Sequence, residues 1–513
     1  MKLNDVPGLD SPLTDAGTKL WEVIIVGAGM AGIGAAIRLQ EQGIDDFLVL
    51  EKANALGGAW RENTYPGCAC DVPSRLYSYS FAPNPHWSRT FAGQAEILAY
   101  LGQVAAGHGI GPRIRYGIEL LGAQWNASAL CWELETNAGL VRTMVLICAT
   151  GPIHVPNTPD LPGLDQFQGK VFHSSDWQHD YALAGKRVAV IGTGASAVQF
   201  IPKIQPALGQ LHLFQRTPSW VLPKPDPSIS PRMHALFTQY PLAQRMLRGL
   251  ESAWFEMIGI GFRNPFLLKR LQRSALRYLE RAVPDPVLRA KLTPSFTLGC
   301  KRMLLSNTYL PALTKDNVDV HASAVTRILP NAVVGADGSV AEVDAIIFAT
   351  GFHVTDMPIA QYLRDGNGQK LSALWAKGAA AYYGTTISGY PNLFLMLGPN
   401  LGTGHSSAIT VAEAQLDYVM HAIATMRQRG LARVDVRADV QAAFNDRVQK
   451  AVQTTVYNAG GCASYYLDAN GRNTFAWPWS MRALKRQMRR FDLHNYQTTA
   501  SAPQTAAAQS SPR

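Results

Sequence analysis

Two glycine-rich turns carry the clearest chemistry in the chain. Gly27-Ala-Gly29-Met-Ala-Gly32 follows the apolar run Trp21-Glu-Val-Ile-Ile-Val26, and Gly192-Thr193-Gly194-Ala-Ser196-Ala197 follows Lys186-Arg-Val-Ala-Val-Ile191. In each, the first glycine permits a tight turn and the second lets the backbone approach a pyrophosphate. The third small residue lets the next helix pack closely on the strand. The pyrophosphate then meets free N–H groups at the helix N-terminus. What comes next differs between the two. The strand Phe47-Leu-Val-Leu50 delivers Glu51, 22 residues after Gly29, and then Lys52. A carboxylate there accepts hydrogen bonds from ribose hydroxyls and repels a 2′-phosphate. The strand Leu211-His-Leu-Phe214 delivers Gln215, Arg216 and Thr217, with Arg216 again 22 residues after Gly194. A guanidinium at that position suits bidentate contact with a 2′-phosphate. Two such units in one chain imply a flavoprotein, with FAD in the first and NADPH in the second.

Three further groups of residues fit around these turns. Directly after Glu51 comes Gly57-Gly58-Ala-Trp60, then Tyr65-Pro66-Gly67 and Asp71. The glycine pair allows close approach to a cofactor, and Trp60 and Tyr65 supply flat apolar walls. Between the two turns, residues 161–177 contain Phe167-x-Gly169-x-x-x-His173-x-x-x-Trp177, a joint between the units. Further on stands the pair Lys301-Arg302. An arginine cannot lose its charge and has a planar donor fork.

The Phe-x-Gly-x-x-x-His-x-x-x-Trp spacing resembles the fingerprint of type I Baeyer–Villiger monooxygenases, and the Gly57-to-Asp71 motif matches a second pattern of that family at each fixed position. Gln178, after Trp177, departs from the family's Pro or Asp. The resemblance covers residues 20–497. It implies an FAD- and NADPH-dependent enzyme that inserts one oxygen atom from O2 beside the carbonyl of a small hydrophobic ketone, through a C4a-peroxyflavin, giving an ester or lactone. It also implies roles. Arg302, oriented by Asp71, would be the catalytic charge, and Lys301 would join Arg216 and Thr217 on the 2′-phosphate. Tyr465, in Ser464-Tyr465-Tyr466-Leu467-Asp468, would belong to a mobile segment closing over NADP. Many family members have Trp at that position.

These residues require an α/β fold with two Rossmann-like dinucleotide-binding domains and a helical insertion in the second. The expected order is a first FAD part over residues 19–152, a first NADP part over 153–222 and the insertion over 223–296. A second NADP part over 297–384, a second FAD part over 385–497 and a disordered tail over 498–513 complete it. Two near repeats, Val145-Leu-Ile-Cys-Ala-Thr-Gly151 and Ala345-Ile-Ile-Phe-Ala-Thr-Gly351, resemble the crossings between the domains. The loop Pro399-Asn-Leu-Gly-Thr-Gly-His405, ahead of a helix, can place backbone N–H groups beside a flavin or serve as a tight turn. Within the insertion, residues 264–282 read as a helix. Leu267, Leu268, Leu271, Ala275, Tyr278, Leu279 and Ala282 form one side, and Lys269, Arg273, Arg277 and Arg281 recur on another. The preferred reading is a core-docked helix with a solvated basic face; a membrane-surface helix is the alternative.

Composition narrows the classes. A chain of 513 residues needs several structural units. The net charge of +10 fits phosphorylated cofactors, and no nucleic-acid-binding motif accompanies it. Cys68-x-Cys70 lacks the partners of a metal site, so no metal is expected. Six cysteines form no disulfide framework, and the first residues lack a signal peptide, so a cytoplasmic enzyme without a stable membrane span is expected. Competing readings are a flavin monooxygenase acting on nitrogen or sulfur, a flavin disulfide reductase and a non-catalytic nucleotide sensor. The reductase requires a redox cysteine pair at C-x-x-x-x-C spacing.

Overall fold

The computed structural model describes residues 19–462, 466–468 and 470–501. β1 (Leu20–Val26) turns at Gly27 into α1 (Met30–Glu41), which returns to β2 (Phe47–Glu51). The two strands pair in parallel, with Ile25 opposite Val49. Both sheet faces are covered, so the strands are continuous apolar runs rather than alternating ones. α2 (Ala59–Glu62) and α3 (Gln94–Gly107) precede β3 (Ile114–Tyr116), which adds to β2. An antiparallel meander follows, formed by β4 (Leu120–Asn126), β5 (Cys131–Thr136) and β6 (Gly139–Cys148). Its last strand lies parallel to β1 on the side away from β2.

The chain then builds a second sheet. β7 (Lys170–His173), β8 (Arg187–Ile191), α4 (Ala195–Ile204) and β9 (Gln210–Phe214) repeat the strand–turn–helix–strand plan. β10 (Val221–Leu222) leads into four helices: α5 (Pro231–Gln239), α6 (Pro241–Arg263), α7 (Pro265–Ala282) and α8 (Pro286–Leu292). β11 (Leu304–Leu305) pairs with β10, so the helical excursion leaves and re-enters side by side. Arg302 is thereby delivered at the seam. β12 (Val318–His321), the antiparallel ribbon β13 to β15 (Val325–Leu329, Ala332–Gly335, Val340–Glu342) and β16 (Ala345–Phe348) follow. The second sheet has the order β12-β9-β8-β16-β7.

The chain returns to the first sheet sooner than residue 385. β17 (Leu363–Arg364) already pairs with β4, and Met357, Ile359 and Leu363 lie in the core beneath that sheet. The sequence carried no sign of this, because so short a strand lacks periodicity. β18 (Leu393–Leu395) joins β6. The long helix Ala408–Arg429 packs on α1, and β19 (Leu431–Val436) pairs with β20 (Tyr496–Ala500). The expected tail from residue 498 is therefore corrected at its start. Thr498 and Thr499 are strand residues opposite Val434 and Arg433. Thr498 is exposed and Thr499 half-buried, and their polarity hid the strand. Residues 502–513 lie outside the described residues, as does Tyr465.

The two dinucleotide turns are near copies in three dimensions. Gly27 and Gly192 have φ of +103° and +108°, a region that favours glycine. Gly29 and Gly194 begin their helices at φ/ψ of −79°/−171° and −75°/−172°, with no side-chain cap. Each turn is braced by its own Ala-Thr-Gly segment. A Cβ on Gly27 would stand 2.7 Å from the Ala149 carbonyl oxygen, and one on Gly192 would stand 2.4 Å from that of Ala349. The Ala149 and Ala349 N–H groups donate to Val26 and Ile191, each at 2.8 Å. The third position differs. A Cβ on Gly32 would sit 1.8 Å from the Gly27 oxygen, whereas Ala197 is fully buried without such a conflict.

Gly32→Ala is expected to destabilise the chain by about 3 kcal/mol, because backbone must move to admit the methyl. Gly43→Ala, at φ +69° but with no atom within 4 Å of the new Cβ, should cost only about 1 kcal/mol. Urea unfolding of the two variants checks this, and equal losses would contradict the close packing at Gly32.

Candidate active site

The first turn is held by Glu51. Its Oε2 accepts from the Ala28 N–H at 2.8 Å and its Oε1 from Ala53 at 3.0 Å. The carboxylate is thus fixed at the end of β2, buried beside the turn, while Lys52 is exposed. Gly57 and Gly58 fold back onto the same place. The Gly57 N–H donates to Ala28, and the Gly58 Cα faces Gly29, where a Cβ would come within 2.9 Å. Two bare backbones meeting in front of an uncapped helix N-terminus form a cradle that side chains would fill, which fits FAD.

The rest of that motif reaches across to the second unit. Trp60 donates its indole N–H to the Tyr77 hydroxyl at 3.1 Å. Tyr65 packs edge-on to Phe200 of α4 and donates to Gln199 Oε1 at 3.0 Å, with Ser196 beside its hydroxyl. Gln199 also bonds both backbone groups of Ala69. Trp177 packs on the other side, 5.2 Å from the Phe200 ring. Tyr65 therefore packs across the two units, and Trp177 packs within the core of the second. Aromatic residues in a glycine-rich loop read the same way whether they face a ligand or a neighbouring domain. Gln199, one member of an amphipathic helix in sequence, is a joining residue that had no sequence signal.

The fingerprint is also explained by packing. A Cβ on Gly169 would lie 2.4 Å from the Asp344 oxygen, so β7 can approach β16 only there. His173 is buried, and its Nδ1 accepts from the Ser175 N–H at 3.2 Å. Burial pushes its pKa below the ordinary histidine value, opposed by the Gly351 backbone, so the ring is neutral at pH 7. The joint is thus tied to the second Ala-Thr-Gly segment.

Asp71 meets Arg302 in a bidentate pair. Nε donates to Oδ2 and Nη2 to Oδ1, both at 2.6 Å. Burial alone would raise the Asp71 pKa. The Arg302 charge and hydrogen bonds, with a smaller contribution from Lys224, outweigh burial and hold the carboxyl below its ordinary range. Lys224, on the loop after β10, was not singled out in the sequence, where it looks like any surface lysine. The neighbouring Lys301 has its pKa lowered by burial and then by Arg216. The two cations face one region, an arrangement that suits a shared anion, while Thr193 Oγ1 donates to the Thr217 carbonyl at 3.3 Å. One dipeptide therefore serves two places: Lys301 beside Arg216, and Arg302 on Asp71.

The cysteines exclude a dithiol redox centre of the expected kind. Cys68 and Cys70 are buried free thiols, and burial pushes Cys68 up to about 11 and Cys70 further. Such thiols are not nucleophiles at neutral pH. No disulfide framework was expected, and four cysteines are free, but one bond joins Cys300 and Cys462, residues 162 apart that no spacing rule connects. It ties the Lys301-Arg302 segment to the stretch just before residue 463.

Two dinucleotide turns with opposite preferences at the ribose, and a guanidinium pinned between them, define a two-domain FAD- and NADP-binding oxidoreductase. Residues 24–250 match the family model described as pyridine nucleotide-disulphide oxidoreductase. The chain is 48% identical to a Baeyer-Villiger monooxygenase of Streptomyces coelicolor over 488 residues, 95% of this chain and 94% of that protein. It is 44% identical to one of Pseudomonas aeruginosa over 495 residues, 95% and 93% of the two chains. Among solved structures, OTEMO in complex with FAD and NADP superposes with a TM-score of 0.84 at 26% identity, covering 93% of this chain and 99% of that one. The chain belongs to the Baeyer–Villiger monooxygenases. It is an FAD- and NADPH-dependent enzyme that inserts one atom of O2 next to a ketone carbonyl.

Asp71→Asn keeps the shape and removes the charge. It should cost about 1–2 kcal/mol at neutral pH, less than a fully buried pair, because a third of the Arg302 side chain meets solvent. The native pKa of Asp71 lies below its unfolded value. Its contribution is therefore complete above about pH 4 and lost as pH falls through the lowered native value. Unfolding midpoints of wild type and Asp71→Asn should stand apart at neutral pH and converge in acid. A gap unchanged down to about pH 2 would contradict the ion pair.

Proposed function

We propose that Arg302, oriented by Asp71, is the catalytic charge of this enzyme, and that Arg216, Thr217 and Lys301 hold the 2′-phosphate of NADPH. The observation that carries the reading is the Lys301-Arg302 dipeptide, whose two side chains serve the two halves of the reaction. Bound FAD, reduced by NADPH, supplies the activated oxygen. The chain supplies placement and charge. The first turn, with Gly27, Gly29, Gly32 and Gly58, receives the FAD pyrophosphate, and Glu51 receives its ribose. Gly192 and Gly194 do the same for NADPH. Arg302 sets a permanent positive charge where negative charge develops on oxygen, and exclusion of water by the bound cofactors would strengthen it. Asp71 fixes the plane of the guanidinium and does not exchange a proton at neutral pH, in keeping with its lowered pKa.

The substrate is a small hydrophobic ketone, and the product an ester or lactone. A cytoplasmic setting is supported by the need for regenerated NADPH, while the Cys300–Cys462 bond argues for an oxidising one; thiol titration of freshly isolated enzyme decides between them.

Incubation with NADPH and a series of cyclic and linear ketones, with products read by mass spectrometry, tests the assignment. Arg302→Ala should lower ester formation about 100-fold or more while FAD remains bound. Arg216→Ala and Lys301→Ala should each raise KM for NADPH about tenfold and narrow its preference over NADH, with kcat little changed. Ester formation by Arg302→Ala at the wild-type rate would remove Arg302 from the catalytic role.

A further inference from the structure

α6 presents an unusual outer face. Three of its five charged residues are directed inward. Arg248 donates to the Ser78 carbonyl at 2.8 Å, Glu251 accepts from Arg75 at 3.0 Å, and Glu256 accepts from the Met481 N–H at 2.7 Å. Gln244, Gly259 and Phe262 are buried on the same inward side. The opposite side carries Leu242, Met246, Leu250, Trp254, Met257 and Ile260, all exposed, with Leu250 at 68% and Trp254 at 59%. Their spacing of three and four residues makes one continuous stripe along the helix. At the turn into α7 the stripe is extended by Phe266, 70% exposed, and Leu267. Leu267 was expected on the packed side of α7; the structure instead buries Leu268, Ala275 and Leu279 there. Ten of the eighteen large apolar side chains exposed among the described residues fall between residues 236 and 267. Single exposed apolar residues need no explanation, but a contiguous patch of this kind marks an interaction surface.

Its charge selects the partner. Residues 231–282 hold nine Lys and Arg against three Glu, a net +6 within a chain of net +10. Two of the three glutamates are the inward-bonded ones. Arg245 and Arg263 flank the stripe on α6 by helical position, and the exposed side of α7 carries Lys269, Arg270, Arg273, Arg277 and Arg281. A second copy of the chain across a two-fold axis would set these cations against each other. An extended flat helix, apolar outward and edged with cations, instead complements a planar surface that is apolar just below a layer of negative charge. No described helix is long and apolar enough to cross a bilayer, and a 23-residue helix lying flat covers about 34 Å.

We propose that the outer face of α6, with the basic face of α7, docks the enzyme peripherally on an anionic lipid bilayer. The side chains of Leu250 and Trp254 enter the interface, and the α7 cations meet the headgroups. This replaces the plain solvated face expected for α7 and stands apart from the assignment of catalytic residues.

Flotation of the FAD-loaded full chain with vesicles of phosphatidylcholine, with and without phosphatidylglycerol, tests the proposal. The wild type should float with the anionic vesicles and be released as salt rises from about 50 to about 500 mM. Leu250→Asp with Trp254→Asp, and separately Arg273→Glu with Arg277→Glu, should each reduce binding about tenfold or more. Melting temperature, flavin absorbance and NADPH consumption should not change in either. No flotation at low salt, equal binding to neutral vesicles, or binding that survives both double variants would overturn the proposal. So would sedimentation velocity showing a dimer that Leu250→Asp with Trp254→Asp dissolves while vesicles are ignored, which would assign the face to a second copy.

Discussion

The arrangement of this enzyme depends on holding one guanidinium at a seam. Asp71 and Arg302 are 231 residues apart, and they meet through two short parallel hydrogen bonds. A lysine would supply the charge as a mobile point; the arginine fork fixes direction as well. The seam itself comes from the helical excursion. β10 and β11 pair at its exit and re-entry, so 81 residues of intervening chain do not blur the position of Arg302. Trp220 Nε1 donates to the Phe296 carbonyl at 2.9 Å and closes the same opening from inside. The insertion is thus anchored at its base while its outer helices are left to other uses.

Around that seam, the same backbone device is used twice. A glycine at positive φ is pressed against the alanine carbonyl of an Ala-Thr-Gly segment, and the following helix starts without a side-chain cap. By contrast, α5, α8 and the helix Ala408–Arg429 begin at Ser230, Asp285 and Ser407, each of which caps its own first turn. Capping oxygens satisfy the first-turn N–H groups that an anion otherwise takes. The two units then differ in the residue at the end of the next strand. Glu51 is locked by two backbone N–H groups, and Arg216 is exposed.

Much of this was legible in the sequence, since it is written in local patterns. The glycine spacing, the flanking apolar strands, Glu51 against Arg216 and the helix over residues 264–282 of the insertion all rest on neighbours along the chain. The Asp71–Arg302 pair was reached only through resemblance, as no local rule links residues so far apart. Other features were hidden for the same physical reason. Tyr65 closes on Phe200 across a domain boundary, the Cys300–Cys462 bond joins distant loops, and β17 is too short to show a period. Glu256 interrupts the α6 stripe in sequence, whereas in the fold that carboxylate turns inward to the Met481 N–H.

Lys301 shows how the two halves are coupled. Burial and the nearby Arg216 both disfavour its charge before any anion is bound. A phosphate between them reverses the sign of that interaction, because each cation then gains an opposite charge at short range. Lys301 is bonded in the chain to Arg302, and Cys300 on its other side is tied to Cys462. Whatever draws Lys301 toward the nucleotide therefore acts on a segment pinned at one end by a disulfide and at the other by Asp71. Such a segment has little freedom to relax except at Lys301 itself. On the proposed assignment, the energy of binding the 2′-phosphate would be felt at the guanidinium, and the placement of Arg302 and the presence of NADP would be linked through two consecutive residues.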